Sequence, residues 1–115
     1  MSITVKHPIT LTTRSFEQEV LKSSRSVVVD FWAELCSPCR LTGSMLEELV
    51  GEDIGERVIF AKVNVDEHPD LASHYEIQSI PTLVIFKDGE ILDRIVGAVP
   101  KKALMQRLDM LTTST

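Results

Sequence analysis

Cysteine is almost missing from this chain: 115 residues hold two, Cys36 and Cys39. One pair supplies two metal ligands, whereas a structural zinc site takes four. His7, His68 and His74 show no close metal-like spacing to the pair. Long hydrophobic runs are missing too. Runs such as Leu83-Val84-Ile85-Phe86 fall far short of the roughly 20 residues that span a bilayer. Positive charge is in deficit. Against 17 Asp and Glu stand 12 Lys and Arg, leaving a net charge of −5, the opposite of a nucleic-acid footprint. Residues 1–10 include Lys6, His7 and Pro8 and lack the apolar core of a secretory signal. The expectation is a cytoplasmic chain that binds neither membrane nor nucleic acid. In that compartment thiols are kept reduced, so a disulfide there is transient and catalytic rather than a staple. No internal repeat or second domain is visible. One domain over residues 1–115 is expected, as a monomer, with residues 112–115 a frayed tail.

What is present centres on residues 30–40, Asp-Phe-Trp-Ala-Glu-Leu-Cys-Ser-Pro-Cys-Arg. Val27, Val28 and Val29 run into this stretch, and an apolar-periodic segment leaves it. The pattern predicts a strand, a short loop and a helix that opens at the cysteines. Residues three apart share a helix face, so the two sulfurs can meet. Free backbone N–H groups and the positive dipole end at a helix start favour a thiolate. Two close thiols, one of them acidified, make a reversible disulfide. The chemistry indicated is thiol–disulfide exchange.

Around this stretch the chain reads as alternating strands and helices. Residues 9–11 predict a short strand, and Thr13 a cap for a helix over 14–21 with Phe16 and Val20 on its buried face. Strands follow at 27–33 and 58–65, with between them a helix that places Leu41, Met45, Leu46, Leu49 and Val50 inward. Residues 51–57 predict a loop. Strand, helix, strand at this spacing is a parallel βαβ unit. A short helix runs from Pro69 through Tyr75. The apolar run Thr82 to Phe86 predicts a strand covered on both faces. Asp88-Gly89 signals a tight hairpin into an antiparallel strand over 91–97. Pro100 opens a last helix with Leu104, Leu108 and Leu111 inward.

Several of these segments together resemble the thioredoxin family. They are Val29-Asp30-Phe31-Trp32-Ala33 with Cys36, Pro38 and Cys39; residues 61–66, Ala-Lys-Val-Asn-Val-Asp; residues 79–89, Ser-Ile-Pro-Thr-Leu-Val-Ile-Phe-Lys-Asp-Gly; and Val96-Gly97-Ala98. The likeness spans about residues 9 to 111, with the motifs in the family's order. It implies the thioredoxin fold, an α/β domain with a central mixed sheet of about five strands and helices on both faces. It implies reduction of disulfides in other proteins, with Cys36 an exposed nucleophile and Cys39 a buried resolving thiol. No bound cofactor is implied, and a thioredoxin reductase restores the dithiol. Asp30, an acid in an otherwise apolar strand, corresponds to the family's proton acceptor for the second cysteine. The Ile80–Pro81 bond is implied to be cis, with Ile80's backbone open to a target strand. Leu35, Ile80, Pro81, Val96 and Gly97 are the expected substrate contacts.

Four positions depart from the family pattern. Leu35 stands for Trp, Ser37 for Gly, Arg40 for Lys and Ser44 for Pro. Ser37, Pro38 and Lys62 are the expected redox-tuning residues. Ser37's hydroxyl lies at the helix start near Cys36, and Lys62 comes from the strand beside Asp30. Several residues have a plainer reading. Lys62 reads equally as a solvated strand lysine, Asp30 as an exposed strand-end acid, Trp32 as core, and the acidic residues 47–48 and 52–53 as a solvated face. A rival function is a binding module or partner clamp in which the cysteines are incidental. A metal or iron–sulfur site shared by two chains is a further alternative.

Overall fold

Alternate residues of a strand face opposite sides of a sheet. From Val27 to Phe31 both sides are apolar but for Asp30, so this strand must be covered twice. Val27, Val29 and Phe31 enter one core with Leu11, Phe16, Val20 and Leu71. Val28 enters the other with Leu46, Leu49, Leu104 and Leu108. A computed structural model describes residues 7–113. Its strands are β1 (Ile9–Thr10), β2 (Ser26–Trp32), β3 (Val58–Asn64), β4 (Thr82–Lys87) and β5 (Glu90–Val96). They form one sheet in the order β1-β3-β2-β4-β5. β2 pairs parallel with β3 and antiparallel with β4. The expected mixed five-stranded sheet with helices on both faces is what forms.

Helix α1 (Ser37–Val50), α2 (Ile54–Arg57) and α4 (Lys101–Thr113) supply the core that holds Val28. A π-helical turn (Glu17–Leu21) and α3 (Pro69–His74) supply the other. The segment expected as a loop over 51–57 contains α2, because Ile54 is fully buried and pins the chain there. Gly55 is required by close approach. A Cβ at that position would lie 2.2 Å from the Val50 carbonyl oxygen at the end of α1.

The first helix is shorter than expected, and Thr13 does not cap it. Thr12 and Ser15 satisfy each other: the Ser15 N–H donates to Thr12 Oγ1 at 3.1 Å and the Thr12 N–H to Ser15 Oγ at 3.0 Å. Thr13 Oγ1 instead donates to Asp70 at 2.9 Å, tying this turn to α3. Residues 112 and 113, expected in a frayed tail, belong to α4. α4 runs to Thr113, and Thr112 Oγ1 donates to the Leu108 carbonyl at 2.7 Å. Residues 114–115 of that expected tail lie outside the described residues, as do positions 1–6 of the amino-terminal stretch.

The hairpin after β4 turns at Asp88 and Gly89, with φ of 54° and 80°. Two successive positive φ values give the turn whose twist matches the strands it joins. A bulge between Ile85 and Phe86 shifts the register of β4 against β5. β5 lies at the sheet edge and leaves Ile91, Leu92 and Val96 exposed.

Candidate functional site

β2 delivers the chain to the site. It ends at Trp32, and four residues later Cys36 is the N-cap of α1 in an extended conformation. An N-cap side chain accepts a hydrogen bond from the backbone two or three residues on. Here the acceptor is sulfur: the Cys39 N–H donates to Cys36 Sγ at 3.2 Å. Pro38 occupies the first turn, where a missing N–H costs no helical hydrogen bond. Cys36 and Cys39 are joined as a disulfide, with their Cα atoms 5.2 Å apart.

The expected contrast of an exposed Cys36 and a buried Cys39 is much reduced in this disulfide form. Cys36 is 8% exposed and Cys39 is 4% exposed. Both sit in a small apolar cluster with Ala33, against which Trp32, Val65 and Ile80 pack. The asymmetry of the pair lies in the hydrogen bond. Cys36 sulfur faces a helix-start N–H, while Cys39 lies one turn inside.

The opposite wall comes from the loop before β4. The Ile80–Pro81 peptide is cis. Pro81 is buried and Ile80 half-buried against the cysteine cluster. The Gly97 N–H donates to the Pro81 carbonyl at 2.8 Å, which fixes the end of β5 beside this loop. Val96 is 60% exposed and Leu35 97% exposed. The fold thus packs Ile80 against the disulfide cluster and joins Pro81 to Gly97 through the backbone, with Val96 next in the chain. Leu35 stands out in solvent.

Behind the disulfide lies a cavity of about 340 Å³, lined in part by Asp30, Trp32, Cys39, Lys62, Ser44 and Glu47. Asp30 is 1% exposed, and among the described residues its Oδ1 has no hydrogen-bond partner. Burial drives its carboxyl up to about 7, opposed by the charge of Lys62. Asp30 and Lys62 are register partners on β2 and β3. Lys62 forms no ion pair with the acid within 4 Å among the described residues. Its ammonium sits over the Trp32 ring, 5.1 Å from the centroid. Asp30 is therefore a buried acid, not an exposed strand end. Lys62 and Trp32 are linked to each other at its side.

The model of the thioredoxin family matches residues 7–110. The chain belongs to the thioredoxin family. It is 50% identical over 99 residues to thioredoxin 1 of Synechococcus elongatus, covering 86% of this chain and 92% of that protein. It is 46% identical over 98 residues to thioredoxin 2 of Chlorobaculum tepidum, covering 85% and 89%. It is 48% identical over 96 residues to a thioredoxin of Rickettsia bellii, covering 84% and 90%. As a thioredoxin it is a thiol–disulfide oxidoreductase, and the Cys36–Cys39 pair carries that chemistry. Among the described residues no helix of this thioredoxin is long and apolar enough to cross a membrane.

Three features escaped the sequence reading. Leu41, assigned to the buried face of α1, is 71% exposed, and Thr42 takes the inward place. A helix that opens at Cys36 with Cys39 inward puts position 42, three residues on, on the same side; hydrophobicity alone misled. Ser37 is exposed, and no hydrogen bond joins its hydroxyl to Cys36 among the described residues. The donor is a backbone N–H of the kind expected at the helix start, and the Ser37 hydroxyl adds nothing to it. The contribution of Ser44 and Glu47 to the cavity was also unread, although both share the helix face of Arg40 at spacings of four and seven.

Proposed function

We propose that this thioredoxin reduces disulfides in other proteins, with Cys36 the nucleophile and Cys39 the resolving thiol. The Cys36 thiolate attacks one sulfur of a target disulfide. A mixed disulfide forms, and the other target sulfur leaves as a thiolate and takes a proton. Cys39 then loses its proton and attacks Cys36 sulfur. The mixed disulfide breaks, the second target sulfur leaves, and Cys36–Cys39 is closed. Two electrons have passed to the target, and the protein is oxidised.

The observation that carries this assignment is the Cys39 N–H donated to Cys36 Sγ at the N-cap of α1. It stabilises charge on Cys36 sulfur before Cys39 is called on. Asp30 serves the second half. It shares a cavity with Cys39 and has a carboxyl that titrates near neutral pH, which suits a general base. Lys62 tunes that acid by its charge. Pro38 tunes the pair by shaping the first turn of α1, and Ser37 fills the first helical position.

Leu35, Ile80, Pro81, Val96 and Gly97 form the target-binding rim. An extended target segment would lie between the Ile80–Pro81 loop and Val96–Gly97. A thioredoxin reductase returns electrons to the disulfide, and no resident cofactor takes part. The protein acts as a single-domain monomer in the cytoplasm. Reduction of insulin by dithiothreitol, followed as precipitation of the freed chains, tests the reading. Acceleration by catalytic amounts of protein, lost in Cys36→Ser, is the expected result. No acceleration by the native protein would favour the binding-module alternative.

A further inference from the structure

Arg94 lies on β5, two residues before Val96. Its Nη1 donates to the Tyr75 carbonyl at 2.6 Å. Tyr75 ends α3 and begins the segment that leads to Ile80 and Pro81. Among the described residues this is the only side-chain hydrogen bond between β5 and residues 75–81. Beside it is a recess of about 170 Å³, lined by residues that include Glu76, Gln78, Ser79, Thr82, Arg94 and Val96. Direct packing between the two walls is therefore incomplete, and the Arg94 side chain bridges the gap. At the other end the Gly97 N–H holds the Pro81 carbonyl.

The neighbouring residue anchors the strand on its second face. Asp93 pairs with Arg107 of α4 and accepts a hydrogen bond from the Arg94 N–H at 2.8 Å. β5 is thus fastened to α4 through Asp93 and to the end of α3 through Arg94. The loop that Arg94 holds contains Glu76 at a φ of 55°, a conformation that side chains other than glycine, asparagine and aspartate seldom take. The carbonyl just before this residue is the one Arg94 secures.

We propose that Arg94 is a positioning residue that sets the spacing between the Ile80–Pro81 loop and Val96, and through it the binding of protein disulfides. The inference rests on the reading of these two walls as the target groove. Arg94 touches no sulfur, so it acts through the groove. Small disulfides that do not span the groove are indifferent to it.

The test compares native protein with Arg94→Ala, Arg94→Gln and Arg94→Lys. Each reduces insulin, a protein disulfide, and 5,5′-dithiobis(2-nitrobenzoate), a small one, over a range of substrate concentrations. Arg94→Ala and Arg94→Gln raise KM for insulin about five- to tenfold with kcat unchanged, the mark of lost uniform binding. Their rates on the small disulfide and their equilibrium with glutathione stay at the native value, which also shows that the fold is intact. Arg94→Lys, which keeps a cationic donor, recovers most of the native KM. An unchanged insulin KM in both Arg94→Ala and Arg94→Gln overturns the proposal. So does a loss on the small disulfide equal to that on insulin. Val96→Asp separates the two levels of the argument. If it raises the insulin KM while Arg94→Ala does not, Arg94 has no positioning role but the groove stands. If Val96→Asp leaves the insulin KM unchanged, the groove reading falls and this inference with it.

Discussion

The Cys39 N–H points at Cys36 sulfur from 3.2 Å, so the two cysteines of one disulfide have different electrostatic surroundings. The expected outcome is unequal trapping. Cys39→Ser leaves a mixed disulfide with no internal thiol to resolve it, and the covalent complex with target protein accumulates. Cys36→Ser leaves a thiol one turn inside α1, without the helix-end donor, and few complexes form. Non-reducing electrophoresis of both variants after incubation with a cell extract measures this. Equal trapping would reverse or cancel the assignment of the nucleophile.

Asp30→Asn is expected to slow attack by Cys39 far more than attack by Cys36. The deficit shrinks as pH rises and Cys39 ionises unaided. Stopped-flow measurement of the two half-reactions across pH checks it. If both halves slow equally at every pH, Asp30 is not the base.

The same acid makes stability depend on pH in a defined direction. Its carboxyl titrates near 3.8 when the chain is unfolded and near 7 when folded. Between these values the folded state binds the extra proton, so stability falls as pH rises from about 4 to about 7. A shift of this size corresponds to about 4 kcal/mol at its upper limit. Asp30→Asn removes the dependence. Urea denaturation is expected to find the variant more stable than the native protein at pH 8 and to find the gain gone at pH 4.

Gly43 of α1 and Gly55 of α2 are expected to respond oppositely to alanine. Gly55→Ala would push a Cβ into the Val50 carbonyl and should destabilise by about 1–3 kcal/mol. Gly43→Ala, inside α1 with nothing within 4 Å of its added Cβ, should stabilise by about 0.5–1 kcal/mol. Urea midpoints distinguish them.

Ser37→Gly is expected to move the reduction potential by less than about 30 mV, the equivalent of 1.4 kcal/mol for a two-electron couple. The hydroxyl makes no hydrogen bond to Cys36, whose donor is the backbone. Equilibration with a glutathione buffer measures the potential, and a larger displacement would restore the hydroxyl as a donor to the thiolate.

The sheet was legible because its signals are local and periodic. β-branched runs mark β2, β3 and β4, and Asp88-Gly89 marks the hairpin. The cysteine pair was legible by spacing, and Asp30 by being an acid among valines. What was not legible depends on the third dimension. Leu41 is as apolar as Leu46, yet the phase of a helix anchored at Cys36 turns it to solvent. α2 is only four residues long, and one buried isoleucine holds it. The burial of Cys36 was not legible because Ile80, which packs against its cluster, comes from 44 positions along the chain. The Arg94 link to Tyr75 joins residues 19 apart, with no periodicity to announce it.

β2 carries the redox helix, and it is hydrogen-bonded along both edges, to β3 and to β4. Its amides should be among the last in the molecule to exchange with deuterium, opening only with global unfolding. The edge strand β5 has a partner on one side alone and should exchange through smaller, more frequent openings. The chemistry would then be mounted on the stiffest part of the chain, while the rim that meets a target belongs to a softer one. Openings of β5 would then leave the distance between the two sulfurs unchanged.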